Sequence, residues 1–260
     1  MSNLRVEDLN LNYQNKIVFN EFNLELPVGK ITTFIGPNGS GKSSLLKTMA
    51  RIIKPQKGCV LIEGTCIHRL PTKELAQRMA ILPQHAVIPE RLTVYDLVLL
   101  GRYPHQSFLG GTKKQDHEAV IKALEDTGMS SFANTFLENL SGGQRQLVWI
   151  AMALAQDTPY LFLDEPTTYL DMAHQLEIMK LLVKLNREYG KTIVMVLHDI
   201  NQAAAYSNEL ILLSKGHVYT QGKPEQVLTK KALRDVFNIE ACFIRDSDTN
   251  AMYCVPVAVS

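Results

Sequence analysis

Cysteine is scarce and unpatterned in this chain: Cys59, Cys66, Cys242 and Cys254 are spread singly over 260 residues. No CxxC spacing occurs, which argues against a zinc ribbon or a dithiol redox centre, and four cysteines are too few for a disulfide scaffold. All four are therefore expected as reduced, mostly buried thiols. An excess of one charge is also missing. The 27 basic side chains are balanced by 26 acidic ones, so no extended footprint for nucleic acid or an anionic membrane is present, and no nucleic-acid partner is expected. No apolar run nears the ~20 residues of a spanning helix. The opening stretch MSNLRVEDLNLNY has charges where a secretory leader would be apolar, so the chain is expected to stay in the cytoplasm. Internal repeats and low-complexity linkers are absent too.

What is present is sharper. Gly36, Pro37, Asn38, Gly39, Ser40, Gly41, Lys42 and Ser43 satisfy the pattern GxxxxGK(S/T) directly after the apolar run Ile31-Thr32-Thr33-Phe34-Ile35. Glycines let backbone N–H groups converge on phosphate oxygens, a lysine reaches the outer phosphates, and a hydroxyl completes the shell of a magnesium ion. A strand before the loop and the helix-like SSLLKTMARII after it supply the context the motif demands. The first ligand implied is a nucleoside triphosphate.

Alternation of polar and apolar residues in LRVEDLNLNY and FNLELP predicts a small antiparallel sheet ahead of the nucleotide core. Further strands are expected at Lys57–Gly64 and at Met79–Pro83, the latter stopping at Gln84. From His85 to about Asp157 apolar residues fall at helical spacings, as in VYDLVLLG and QDHEAVIKALEDTG, which marks a helical insertion. Strand-like runs return at Tyr160–Leu163 and Thr192–Leu197. The amphipathic MAHQLEIMKLLVKLNREYG between them, with its Gly190 stop, completes a βαβ unit and makes the sheet at least partly parallel. After Asn208 the chain reads as a hairpin, ELILLSKGHVYTQG, a short helix near Pro224 and an irregular tail ending in CVPVAVS.

Three groups follow apolar strands directly. Asp164 and Glu165 lie just beyond Tyr160–Leu163, at the carboxyl end where open α/β sheets bind ligands. Asp164 is the expected magnesium partner and Glu165 the expected acceptor of a proton from attacking water. The alternative is an acidic cap on the next helix. His198 follows its strand in the same way, which would put it on one sheet edge with Lys42 and Glu165. Ser141, Gly142, Gly143 and Gln144 open the segment RQLVWIAMALAQ. The Ser-x-x-Gln spacing is that of a capping box, and the same glycine-rich helix start is also a ready anion site.

The phosphate loop, Gln84, LSGGQ, LFLDEP, Tyr169-Leu170-Asp171 and His198 together resemble the ATP-binding cassette ATPases, in the family's order and across nearly the whole chain. The resemblance implies an α/β fold: a P-loop NTPase core with a mixed, mostly parallel sheet, an N-terminal antiparallel β subdomain and an inserted α-helical subdomain. The expected division is a core of 1–84 and 158–225, a helical subdomain of 85–157 and a tail of 226–260. It implies ATP and Mg2+ as ligands and a head-to-tail homodimer in which the LSGGQ helix of one subunit closes on ATP held by the phosphate loop of the other. By position, Tyr13 would stack on adenine. Lys42, Ser43 and the neighbouring Ser44 would bind the phosphates, and Ser43, Gln84 and Asp164 would serve the magnesium ion. Glu165 would be the general base, His198 would hold the γ-phosphate, Ser141 and Gly143, in the motif that ends at Gln144, would contact ATP across the dimer, and Asp171 would couple the two sites. Leu147 stands where the family usually has a basic residue.

Segments 93–105 and 167–175 resemble the ATPase subunits of bacterial importers for ferric siderophores, with haem and cobalamin importers as close relatives. Integral membrane permease subunits would be separate chains docking on the insertion between Gln84 and Pro104, and an extracytoplasmic substrate-binding protein would act indirectly. The subunit would be cytoplasmic, peripheral on the inner face of the membrane. A soluble cassette protein working as an ATP-driven clamp is the alternative class.

Overall fold

Apolar alternation sets up the N-terminal sheet. Leu4–Tyr13 (β1) and Lys16–Leu26 (β2) bury one face each and pair antiparallel. The register shifts along this pair, and Asp8 and Glu21 take left-handed backbone conformations (φ 48° and 50°), so both strands bend while their apolar faces stay inward. The structure, a computed structural model, describes residues 4–13, 16–84, 91–107, 111–246 and 252–259. The start of the expected insertion at His85 and part of its expected docking surface, 85–90, lie outside the described residues.

The chain forms two compact units, one of Met1–Arg69 with Thr192–Ser260 and one of Leu70–Lys191. In the first, Ile31–Ile35 (β3) is buried throughout and runs into the phosphate loop, which delivers Lys42–Met49 (α1). Lys57–Ile62 (β4) and Thr65–Cys66 (β5) complete the antiparallel sheet, in the order β2-β1-β4-β5.

The second unit begins with Thr72–Arg78 (α2) and Met79–Leu82 (β6). Val94–Leu100 (α3), Lys114–Asp126 (α4) and Gly142–Ala155 (α5) follow, and α5 packs against both α3 and α4. The only β pairing in that stretch, among the described residues, is the bridge Thr93–Phe136, as a helical insertion requires. Tyr160–Asp164 (β7) pairs parallel with β6. Met172–Tyr189 (α6) is capped by the Asp171 carboxylate and ended by Gly190 at φ 65°, the expected stop.

The chain then re-enters the first unit. Thr192–Val196 (β8), Ile200–Tyr206 (α7), Glu209–Ser214 (β9) and His217–Gly222 (β10) follow, then Pro224–Val227 (α8). β3 pairs parallel with both β8 and β9, and β10 folds back antiparallel on β9 as the expected hairpin.

Two expectations need correcting. The tail is not irregular: Ile239–Arg245 (β11) and Met252–Val259 (β12) pair antiparallel. Ala241 and Cys254 join Leu233 in a small core covered by Ile200, Phe237, Ile239 and Phe243. Pro256, which reads as a strand breaker, sits opposite Ala241 beside a register shift, where a sheet tolerates proline. The cysteines are not all reduced or mostly buried: Cys59 and Cys66 form a disulfide, Cα atoms 6.0 Å apart. Glu63 and Gly64 both have positive φ (52° and 76°), the geometry of a tight two-residue hairpin turn, and this turn brings the two cysteine-bearing stretches together. Of the remaining pair Cys242 is half-buried and Cys254 buried, and burial pushes the Cys254 thiol above its ordinary pKa. Thiol titration of the denatured chain is expected to yield two groups before reduction and four after. Four in both conditions would refute the cross-strand bond.

A buried ion pair organises the second unit. Arg102 Nε donates to Asp116 Oδ1 at 3.0 Å and its Nη1 to the carbonyl of Ala155 at 2.7 Å, which joins the end of α3 to α4 and α5. The Lys113 backbone N–H, and then Arg102, hold the Asp116 carboxyl below the usual carboxylate range, against the opposing effect of burial. That stabilisation is in place above the ordinary carboxylate pKa and is lost as pH falls through the depressed folded value. Removing one partner of such a pair strands the other charge, so Arg102→Ala should lower stability by about 3–5 kcal/mol in urea unfolding.

Candidate functional site

β3 ends at Ile35, and the next residues turn in a way only glycines allow. Gly36, Gly39 and Gly41 have φ of 146°, 79° and 102°. Space restricts them as well: a Cβ on Gly36 would run into the Leu213 carbonyl, and one on Gly41 would lie 2.6 Å from Phe19 Cζ. Gly41 is also the N-cap of α1 and offers no side-chain cap, so the first N–H groups of that helix remain available to an anion. Ser40 Oγ is buried without a hydrogen-bond partner. Lys42 is 5% exposed, its ammonium donating to the carbonyls of Gly36 at 2.8 Å and Pro37 at 3.0 Å. Asn38 and Gly39 are exposed, and Pro37, Ser43 and Ser44 half-buried. A loop bent round its own lysine, with helix N–H groups and a buried hydroxyl in it, fits a phosphate chain.

Tyr13, expected to stack on adenine, is exposed at the end of β1. It lines a cleft of about 440 Å3 with Gly39, Gly41 and Ser44 of the loop region. Lys16, Ile17, Val18, Lys215 and Gly216 form the rest of the wall, and these were not foreseen. The signal was faint: the Lys215-Gly216 turn between β9 and β10.

His198 shares the loop's edge through register. β3 and β8 pair with Phe34 level with Val196, and Leu197 N donates to Phe34 O at 3.3 Å, so Gly36 and His198 leave their strands side by side. The His198 side is exposed, and the following Asp199 caps α7.

The second unit repeats this device. β6 and β7 pair with Leu82 level with Leu163, so Gln84 and Glu165 both emerge two residues later at one edge. Gln84 Nε2 donates to Glu165 Oε2 at 2.6 Å, and Thr168 Oγ1 donates to the same oxygen at 3.1 Å. Asp164 and Glu165 part company there: Asp164 is 1% exposed, whereas Glu165 is half-buried on a left-handed backbone (φ 56°) that turns it out of the strand direction. Strain of this kind persists where the surroundings hold it. Neither is a helix cap, because Asp171 caps α6. Ser43 in the first unit, and Gln84 and Asp164 in the second, each carry an oxygen donor of the kind a hard cation such as Mg2+ takes. Among the described residues no group of three or more His, Cys, Asp or Glu side chains could hold a metal ion by itself.

The capping box before α5 is formed. Ser141 Oγ accepts from Gln144 N at 3.2 Å, and Gln144 Oε1 accepts from Ser141 N at 2.9 Å. Both polar side chains thus serve the helix start, with Ser141 and Gly142 exposed and Gly143 buried. Leu147 is buried too, which agrees with an apolar residue at a position usually basic.

The fold and these loops define a nucleotide-hydrolysing cassette, and the chain belongs to the ABC transporter family, whose model matches residues 19–168. It has the ATPase activity of that family. It is 50% identical over 255 residues to the iron(3+)-hydroxamate import ATP-binding protein FhuC of Bacillus subtilis, covering 98% of this chain and 95% of that protein. Identity to the ferric enterobactin transport ATP-binding protein FepC of Escherichia coli is 42%, with 99% and 95% covered. Among solved structures, an ABC transporter described as of metal-chelate type, in an inward-facing conformation, superposes with a TM-score of 0.85 at 30% identity, covering 99% of this chain and 98% of that one. The dimeric structure of MJ0796, a bacterial ABC transporter cassette, gives 0.74 at 31% identity, covering 85% and 98%.

Lys42→Ala should weaken ATP binding by about ten- to a hundredfold, the loss of one charge-assisted contact. Gly41→Ala should do likewise by driving a methyl into Phe19. Equilibrium binding of a fluorescent ATP analogue checks both, and wild-type affinity in Lys42→Ala would refute the phosphate role.

Proposed function

We propose that this chain is the ATP-hydrolysing subunit of a bacterial importer that carries a ferric siderophore across the cytoplasmic membrane. The observation that carries the cargo is the near end-to-end likeness to a protein named for iron(3+)-hydroxamate import. A structural relative of metal-chelate type keeps haem, cobalamin and other chelates as the second reading. ATP binding closes a head-to-tail dimer, closure drives separate permease subunits, and hydrolysis resets the pair. The dimeric cassette among the structural relatives supports that arrangement. A binding protein outside the membrane would deliver the chelate. No helix among the described residues is long and apolar enough to cross a membrane, which is consistent with a separate permease.

In the reaction, the Gly36–Ser43 loop and Lys42 hold the phosphates and His198 steadies the γ-phosphate. Glu165 accepts a proton from water as its oxygen bonds to the γ-phosphorus and the bond to the β-phosphate oxygen breaks, releasing ADP. The Glu165 carboxylate is oriented by Gln84 and Thr168, which both donate to its Oε2. A bound Mg2+, carried by Ser43, Asp164 and Gln84, would neutralise the charge on the phosphates. Catalysis is positioning and charge stabilisation.

Permease contact is assigned to the α3 end and the turn after it. Leu100 and Tyr103 are 54% and 76% exposed there, while Lys73 and Gln77 of α2 support the turn by donating to the carbonyls of Gln106 and Pro104. A strain lacking the gene should fail to grow on a ferric hydroxamate as sole iron source and should be restored by the wild-type gene, while Glu165→Gln should fail to restore it. Normal growth of the deletion strain would sink the iron reading, and restoration by Glu165→Gln would sink the base.

A further inference from the structure

His174 has no role in the scheme above, yet it touches two groups that do. It is the third residue of α6, one turn beyond Asp171. Its backbone N–H donates to Asp171 Oδ1 at 3.0 Å and its ring Nδ1 lies 2.7 Å from Asp171 Oδ2. Both carboxylate oxygens are thus held by one residue. The Asp171 carboxyl is accordingly below the usual range, through the His174 backbone N–H first and its ring second. An ionised carboxylate only accepts, so Nδ1 carries the proton of that bond.

The other side of the ring faces the LSGGQ helix start. A Cβ on Gly143 would overlap the imidazole, 2.5 Å from Cγ and 2.8 Å from Nε2. Gly143 has no positive φ, so backbone conformation does not demand glycine there; the space taken by His174 does. A second, looser contact runs in parallel: a Cβ on Gly142 would sit 4.0 Å from Leu170 Cδ2, and Leu170 is steadied by Gln175 Nε2 donating to its carbonyl at 2.9 Å. The Asp171 turn is therefore seated on the Ser141–Gly143 loop of its own subunit, with the imidazole as the strut.

We propose that His174 is a positioning residue that locks Asp171 to the Ser141–Gly143 loop, so that the two elements a subunit offers its partner arrive as one rigid piece. This rests on the head-to-tail dimer of the preceding reading. Nothing in it involves the phosphate loop, so nucleotide affinity of the separate subunit should not depend on His174.

Two variants separate the halves of the strut. His174→Asn keeps a donor where Nδ1 stands and removes the ring from Gly143. His174→Phe keeps a flat ring on Gly143 and removes the ring's hydrogen bond to Asp171 Oδ2, leaving the backbone bond to Oδ1 in place. Both are made in Glu165→Gln, where ATP-bound dimers should persist, and dimer formation against ATP concentration is read by sedimentation. The expected result is that each variant binds a fluorescent ATP analogue as tightly as its parent when dilute and monomeric, but needs about tenfold more ATP to dimerise, as coupled neighbours do. A parent that dimerises beside variants that match it overturns the strut alone. A parent that stays monomeric overturns the dimer reading, and the strut with it. Loss of monomer ATP affinity in either variant also overturns the proposal, since it would trace the effect to the phosphate loop.

Discussion

Level parallel pairing of buried strands is the constraint from which the chemistry follows. A parallel pair sends both its carboxyl ends to one edge, and the register decides which residues emerge as neighbours. In the first unit Phe34 lies level with Val196, which puts the phosphate loop and His198 at one margin. In the second Leu82 lies level with Leu163, which brings Gln84 and Glu165 out side by side, within reach of the bond they form. A one-residue slip in either pair would turn the following side chains to the opposite face.

Anchored strands also hold unusual backbone in place. Gly36 and Glu165 each follow a buried strand and each has positive φ, glycine without steric cost and glutamate with some. The cost at Glu165 is met by Gln84 and Thr168, which fix its carboxylate where an unstrained glutamate would swing. Strain and orientation are here one arrangement: the bend that turns the carboxylate off the strand is held by the groups that aim it.

Legibility in the sequence divided along the range of the interactions. The strands, the Gly190 stop, the phosphate loop and the capping box before α5 depend on residues within a few positions of one another, and periodicity or spacing reports them. The sheet edge that gathers His198 with the loop followed from a histidine placed directly after an apolar strand. What stayed hidden involves partners far apart or chemistry that spacing cannot encode. Cys59 meets Cys66 only because two positive-φ residues make a tight turn, and a search for CxxC passes over it. The C-terminal hairpin closes over Leu233 and Ile200, contacts that a proline-containing segment does not advertise. Lys16 and Lys215 reach the cleft of Tyr13 from separate hairpins, and His174 reads as an ordinary helical residue until Gly143 is seen beneath it.

The segment from Val94 to His105 engages its charged groups with partners in its own chain. Asp96 closes the cap on α3 with Thr93, Arg102 is consumed by Asp116 and the Ala155 carbonyl, and the His105 ring meets the Gln156 carbonyl at 2.8 Å. Outward, beside the exposed Asp96 carboxylate that the Thr93 cap engages, stand Leu100 and Tyr103, one aliphatic and one aromatic. A partner seated on that patch would be chosen by shape and apolar fit, and ionic strength, which loosens charge-steered encounters within a Debye length of about 10 Å at 0.1 M salt, would leave the association largely untouched.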